Sequence, residues 1–168
     1  GESKLFTDSN GYIFYDDRTD RYLMGYTGTY TALTLPANCK GNNYEIYKYA
    51  FYKRDNLTSV TIPDSVTEIG GYAFEGCTSL TSITIPDSVT VVGGYVFYGC
   101  TSLTSITIPD SVTKVGIEAF EGTVIYNNKT NWQNGVLYIG NCLIKADKDI
   151  LAREYVVCDG TRLIAEGA

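Results

Sequence analysis

The 168-residue chain carries 19 acidic and 13 basic side chains, no histidine and five cysteines. The net charge of −6 argues against nucleic acid and against an anionic membrane surface, and no apolar run approaches the ~18 residues of a membrane span. Without histidine there is no Ser-His-Asp or Cys-His nucleophile and no histidine zinc ligand, so we expect a non-enzymatic protein with no cofactor and no metal.

An internal repeat of 23 residues dominates the middle of the chain. Residues 57–79, LTSVTIPDSVTEIGGYAFEGCTS, match residues 80–102, LTSITIPDSVTVVGGYVFYGCTS, at 18 of 23 positions. A third copy over 103–122 matches the second at 15 of 20 positions. Diverged copies flank these at 31–52, with four extra residues near 40–43, and at 155–168. A fixed period of this length predicts a stack of identical supersecondary units.

Each unit is predicted to form two short strands separated by turns. The β-branched residues favour strands, Pro86 ends the first strand and Asp87 favours a turn. After the second strand, the pair Gly93-Gly94 turns the chain into a short helical or 3₁₀ segment. The side chains expected to face inward are Leu80, Ile83, Ile85, Val89, Val92 and Phe97. Those expected to face outward from the first strand are Thr81, Ser82 and Thr84.

Stacking buries what one unit cannot bury alone. Equivalent residues of successive units should lie ~4.8 Å apart, the spacing of neighbouring strands. The expected ladders are Leu57/Leu80/Leu103, Ile62/Ile85/Ile108 and Phe51/Phe74/Phe97/Phe120. The predicted fold is therefore a leucine-rich-repeat solenoid, a right-handed coil of short parallel strands with 3₁₀ or short helical turns.

The motif LxxIxIPxxVxxIGxxAFxxCxx, filled here over 80–102 as LTSITIPDSVTVVGGYVFYGCTS, resembles the BspA-type leucine-rich repeat of bacterial and protozoan surface proteins. The resemblance is strongest over 31–122. It extends to 11–28, which resembles that family's N-terminal β-hairpin cap, and to 135–149, which resembles a hairpin insert between repeat blocks. It implies a cap over 1–30, repeats over 31–122, an insert over 123–153 and a further, truncated repeat over 154–168.

The resemblance also implies an adhesin-like function at the cell surface, with a host or neighbouring-cell protein or glycoprotein as the ligand. A composition of 15 Tyr, many Thr, Ser and Asn and few charges agrees with an extracellular setting. Two alternatives stay open, a structural spacer within a larger surface protein and a carbohydrate-active protein. Because the last unit stops before its ladder Phe, we also expect exposed apolar surface there and end-to-end self-association.

Two surface arrays are the candidate ligand-binding sites. The first is the outward polar face of the strands, Thr58, Thr61, Thr81, Thr84, Thr104 and Thr107, with neighbouring serines. The second is a column of aromatic residues, Tyr49, Tyr72 and Tyr95, which breaks at Glu118. Each also has a structural explanation, because threonine suits exposed strands and tyrosine rings can cover the turns of the coil.

Two further columns repeat with the unit. Asp64, Asp87 and Asp110 could attract Ca²⁺ or imitate a glycosidase pair, but a turn residue copied with its repeat explains them better. Cys77 and Cys100 occupy equivalent positions in successive units. They are expected to be small buried residues of the ladder, although rung spacing would also permit a disulfide.

Overall fold

The computed structural model describes residues 4–150 and 156–168. It contains short strands and very little helix. The strands are β1 (Leu5–Thr7), β2 (Tyr12–Asp16), β3 (Arg21–Tyr26), β4 (Ala32–Thr34), β5 (Tyr44–Ile46), β6 (Ser59–Thr61), β7 (Val66–Ile69), β8 (Ser82–Thr84), β9 (Val91–Val92), β10 (Ser105–Thr107), β11 (Lys114–Val115), β12 (Trp132–Gln133), β13 (Val136–Ile139), β14 (Cys142–Ala146) and β15 (Leu163–Ile164). Helix α1 spans Val124–Asn127, and 3₁₀ turns lie at Lys129–Asn131 and Lys148–Ile150.

Two sheets run along the coil, and within the repeats their strands are parallel. One sheet, here called the repeat sheet, has the order β10-β8-β6-β4, and the other has the order β1-β2-β3-β5-β7-β9-β11. In the repeat sheet Ser82 lies opposite Ser59 on one side and Ser105 on the other, so each strand is displaced from the next by one 23-residue unit. The third side of each coil consists of hydrogen-bonded turns, such as the bond from Tyr98 N to Tyr95 O (3.1 Å). The predicted solenoid is confirmed.

The core contains the ladders that the repeat predicts, except that Ile108, the last member of its ladder, is only partly buried. Phe51, Phe74, Phe97 and Phe120 are all fully buried. Their rings stack from unit to unit with centroid separations of 5.1, 5.8 and 5.6 Å. Burying each such side chain contributes about 1.5–3 kcal/mol. The stack is therefore a continuous apolar column that couples the four units that contribute to it. The other inward residues of the central unit, buried as expected, are Leu80, Ile83, Ile85, Val89 and Val92.

A column of glycines sets how closely the units approach. A Cβ atom on Gly93 would lie 2.4 Å from the backbone nitrogen of Gly71 in the preceding unit, and one on Gly116 would lie 2.2 Å from the nitrogen of Gly94. Real Cβ contacts are essentially never shorter than 3.0 Å. The Gly93 amide meanwhile donates to a carbonyl of the preceding unit at 2.8 Å. The missing side chain is thus what permits backbone to pack on backbone at this point.

A β-hairpin begins the solenoid, and a second hairpin interrupts it. Strands β2 and β3 are antiparallel, and β3 then pairs in parallel with β5 of the first unit. Strands β13 and β14 repeat this arrangement, with β14 pairing in parallel with β15. The backbone bonds correspond, because Tyr47 N donates to Leu23 O (2.9 Å) and Ala165 N donates to Leu143 O (2.8 Å). The second hairpin is therefore the base on which the last unit stacks.

The last unit contacts the preceding repeats through a few bonds. Glu166 N donates to Val115 O at 2.8 Å, while β15 itself pairs with the hairpin strand β14. Apolar side chains are exposed in this part of the chain, with Val156 81% and Ile164 57% accessible. The exposed surface agrees with the sequence expectation, and self-association through it stays a prediction. No helix within the described residues is long and apolar enough to cross a bilayer.

Candidate functional site

The outward face of the repeat sheet carries a regular polar array. In each strand the central residue is turned into the core and its two neighbours are turned out, so Ser82 and Thr84 are exposed while Ile83 is buried. Register pairing then aligns Thr84 with Thr61 and Thr107. All six threonines named from the sequence, Thr58, Thr61, Thr81, Thr84, Thr104 and Thr107, are exposed along these strands or immediately before them.

The threonines of this face divide into two kinds. The hydroxyl of Thr58 donates to Thr31 O (3.0 Å) and that of Thr81 donates to Thr58 O (3.2 Å), so both hold one unit to the previous one. Thr61, Thr84, Thr104 and Thr107 make no side-chain hydrogen bond within residues 4–150 and 156–168. A hydroxyl can donate and accept, and these four present both functions to solvent. They are the residues of the array that are free to contact a ligand.

A cavity lies at each end of the repeat sheet, where the chain departs from its repeat. A cavity of about 360 Å³ separates β10 from the insert. Its walls include Ser105, Ile106, Ile125, Gln133 and Tyr138. Another of about 370 Å³ lies between the N-terminal hairpin and β4, beside the exposed Tyr30. The repeats alone did not predict these cavities, because both need residues from outside the repeat.

The aromatic residues form a second surface, here called the tyrosine edge, on the turn side of the coil. It comprises Tyr49, Tyr52, Tyr72, Tyr95 and Tyr98. The rings of Tyr49 and Tyr72 are 4.8 Å apart and those of Tyr72 and Tyr95 are 4.9 Å apart, with interplanar angles of 14° and 2°. Parallel stacking covers both faces of the Tyr72 ring and one face each of the Tyr49 and Tyr95 rings. The column therefore offers mainly ring edges and phenol hydroxyls to a ligand.

The backbone at the tyrosine column is left-handed. Tyr49, Tyr72 and Tyr95 have φ values of 63°, 61° and 56°, and Glu118 continues the column with 51°. Such values cost energy for a bulky side chain, so the stacking of units must impose them. In the last unit Gly167, with φ of 70°, occupies the corresponding position. Its alignment with Glu118 is a sequence signal that could have revealed this conformation, because glycine accepts positive φ freely.

The aspartate column is exposed and lies in the turns that follow the repeat sheet. Asp64, Asp87 and Asp110 are all accessible, and Asp110 forms an ion pair with Arg162 at 3.2 Å. Arg162 also donates to the carbonyls of Pro109 and Val112 in the same turn. Across residues 4–150 and 156–168, no group of three or more His, Cys, Asp or Glu side chains is arranged to hold a metal ion.

The cysteine column is internal, and its thiols are free. Cys77 Sγ donates to Phe51 O (3.2 Å) and Cys100 Sγ donates to Phe74 O (3.1 Å), each in the preceding unit. Burial is the main cause that raises the pKa of both thiols to about 12, so neither is a nucleophile near neutral pH. The disulfide that rung spacing would permit is not formed. The two residues are small buried members of the ladder, as the sequence indicated.

The fold and its surfaces define a leucine-rich-repeat solenoid. A family model described as the BspA type leucine rich repeat region matches residues 25–150 in six copies. The chain belongs to this family, whose repeat domains serve in protein interaction or surface display. No curated protein matches the chain.

Solved structures of similar proteins agree with this assignment. A leucine-rich repeat protein from Bacteroides ovatus is 32% identical over 73% of this chain, with a TM-score of 0.58. One from Bacteroides capillosus is 27% identical over 75% of the chain and 96% of its own length, with a TM-score of 0.64. A leucine rich repeat protein from T. pallidum is 28% identical over 68% of the chain and 66% of its own length, with a TM-score of 0.53. The chain spans a third of the B. ovatus protein, 33% of its length.

Proposed function

We propose that this chain is an extracellular, non-enzymatic interaction domain that binds a host or neighbouring-cell protein or glycoprotein through the outward face of its repeat sheet. The observation that carries the proposal is the column of Thr61, Thr84 and Thr107, whose hydroxyls are exposed and make no bond within the described residues. Regular solenoids present extended surfaces of this kind to macromolecular ligands.

The two ends of the outward face differ from the repeated part between them, and this difference would give a ligand a single binding position. The array repeats with the unit, so by itself it offers a ligand no unique register. The cavities beside β4 and β10 break that repetition with non-repeated side chains such as Tyr30 and Gln133. A ligand that lies across the array and enters one of these cavities would be held in one register. Tyrosine is also a residue type that concentrates binding energy at interfaces.

The proposal is tested with a biosensor panel of purified matrix and serum glycoproteins, each in native and enzymatically deglycosylated form. The test variant is Thr61→Lys/Thr84→Lys, which places two bulky cations on the outward face. The matched control is Thr78→Lys/Thr101→Lys, an identical double change in another column of exposed threonines. We expect binding of at least one native glycoprotein that the test variant weakens about tenfold or more while the control does not, because interfacial clash and desolvation typically cost several kcal/mol.

Equal binding by the wild-type protein, the test variant and the control variant would show that the repeat sheet is not the binding face. No binding to any member of the panel would favour the structural spacer, in which the repeats display other domains and carry no ligand. Loss of binding after deglycosylation would assign the recognition to glycan, whereas unchanged binding would assign it to protein.

A further inference from the structure

The negative charge of this protein is concentrated in its near-identical repeats. Between Leu57 and Tyr126 there are seven acidic side chains and one lysine, whereas acidic and basic residues balance over the rest of the chain. The whole net charge of −6 therefore lies in this segment. A surface of one sign attracts a partner of the opposite sign and raises its rate of association.

Part of this charge lies on the tyrosine edge, where two carboxylates have no ion-pair partner among the described residues. The second column of the edge reads Tyr52, Glu75, Tyr98 and Glu121, one residue from each successive unit. Neither Glu75 nor Glu121 forms an ion pair within residues 4–150 and 156–168. Backbone bonds hold the units in register here, from Gly76 N to Tyr98 O (2.9 Å) and from Gly99 N to Glu121 O (2.9 Å). Tyr98 is thus flanked by a carboxylate in the unit before it and another in the unit after it.

The first unit shows what such a tyrosine binds when a cation is available. Lys53 follows Tyr52 in the chain, and its ammonium group lies 5.2 Å from the centre of the Tyr52 ring. Cations at this distance are attracted by the ring quadrupole. Tyr98 is the equivalent of Tyr52, but it is followed by Gly99, which carries no side chain. Of these two equivalent rings, Tyr98 has the two flanking carboxylates and no contact with a cation among the described residues.

The neighbouring column adds a third carboxylate. Glu118 stands where the next ring after Tyr95 would stack, with the same left-handed backbone. The charge of Glu118, followed by burial, raises the pKa of the Tyr95 phenol. Tyr95 and Tyr98 are themselves 5.8 Å apart with their planes inclined by 53°. The two rings and their carboxylates therefore form one continuous acidic and aromatic surface.

We propose that this surface binds a Lys or Arg side chain of a cationic protein segment, which lies over Tyr98 and between Glu75 and Glu121. The proposal deepens the proposed interaction function, because it names the chemistry of a protein ligand and a second contact surface for it. Arginine fits best, since a guanidinium group stacks on an aromatic face and also pairs with carboxylates. The N-terminal end of the edge, with Lys48 and Lys53, would repel the same segment and so orient it.

The test uses the whole chain and two fluorescent peptides of equal length, one of alternating Arg and Ser and one of alternating Glu and Ser, with binding followed by anisotropy at low and high salt. We expect the Arg peptide to bind, salt to weaken it, and the Glu peptide not to bind. The variant Glu75→Gln/Glu121→Gln should weaken the Arg peptide about fivefold or more, because it removes two ion-pair partners from a cation–π site.

Matched variants separate this site from general acidity. Asp64→Asn/Asp87→Asn removes the same amount of charge from the same repeats but away from the tyrosine edge, and it should retain nearly wild-type affinity. Tyr98→Phe keeps the ring and should bind, while Tyr98→Leu should not. Unchanged unfolding midpoints establish that each variant is folded. If the Glu75→Gln/Glu121→Gln variant unfolds at a lower midpoint, the single variant Glu121→Gln is tested in its place.

Two results would overturn the proposal, equal weakening by the Asn and Gln double variants, or no affinity for the Arg peptide even at low salt. In either case glycoprotein binding that still depends on Thr61 and Thr84 would leave the function proposed for the repeat sheet intact. If the Arg peptide still bound but glycoprotein binding did not depend on Thr61 and Thr84, the function proposed for the repeat sheet would be contradicted and the site at Tyr98 would be supported.

Discussion

Replacing Gly93 with alanine tests whether backbone contact between units limits the stability of the solenoid. The added methyl group would lie 2.4 Å from the nitrogen of Gly71 and 2.7 Å from the carbonyl carbon of Gly70. Both are backbone atoms held in the preceding unit, so neither can rotate away as a flexible side chain would. Bringing the closest contact from 2.4 Å to the 3.0 Å limit requires the two units to separate by at least about 0.6 Å. That movement would lengthen the hydrogen bond from Gly93 N to Ile69 O, now 2.8 Å.

The size of the effect follows from two opposing contributions. Overpacking a tight interior typically costs about 1–3 kcal/mol, and one weakened buried hydrogen bond adds about 1 kcal/mol. Alanine restricts the unfolded chain more than glycine does, which offsets the loss by about 0.4–1 kcal/mol. We therefore expect Gly93→Ala to lower the free energy of unfolding by about 2–3 kcal/mol. For a domain of this size, that corresponds to a fall in Tm of roughly 5–10 °C.

The control is Gly71→Ala, in the adjacent glycine column of the preceding unit. A Cβ there would meet only one atom closer than 3.9 Å, Gly94 O at 3.2 Å, and the same column already holds Lys48 and Ile117 in other units. Urea unfolding followed by circular dichroism gives the midpoint and slope for each variant. If Gly93→Ala unfolded at the wild-type midpoint, or if Gly71→Ala lost as much stability, close backbone approach would not be the reason for glycine in this ladder.

Three further outcomes are expected. Arg54→Ala should lower the free energy of unfolding by about 1.5–3 kcal/mol and speed amide exchange in β3, because the guanidinium group donates to two backbone carbonyls of the N-terminal cap. Unchanged amide exchange in β3 would contradict this prediction. Native protein at neutral pH should react with a thiol reagent at Cys158 alone, with the four buried thiols reacting only after denaturation. Because burial raises the pKa of Cys77 and Cys100 from 9.0 to about 12, the stability that their protonated forms confer should be complete below about pH 9 and lost as the pH rises towards 12; a flat unfolding profile across that range would contradict the assignment.

The repeats were predictable because one pattern determines every unit. The spacing of Leu80, Ile83 and Phe97 within 23 residues indicates which side chains face inward, and recurrence of the spacing indicates that equivalent residues stack. The same argument located the outward threonines and the tyrosine column. It could not separate Thr81, whose hydroxyl is bonded to the preceding unit, from Thr84, whose hydroxyl is not. That difference depends on which carbonyl lies within reach, and the sequence contains no trace of it.

The non-repeated parts needed the tertiary structure. The hairpin of β13 and β14 was expected as an insert, but its pairing with β15 in the manner of the N-terminal cap depends on contacts between residues about 21 positions apart. The cavity beside β10 also depends on two segments that share no pattern.

The 23-residue repeat by itself determined the solenoid, its buried ladders and the two surface arrays, because one unit cannot bury its apolar face alone and stacked units can. Only the tertiary structure decided which atoms of neighbouring units meet. The left-handed backbone of the tyrosine column and the bond from the Thr81 hydroxyl to Thr58 O both arise from contacts between neighbouring units. A repeat in the sequence predicts that successive units lie against each other, but it does not specify which of their atoms come into contact.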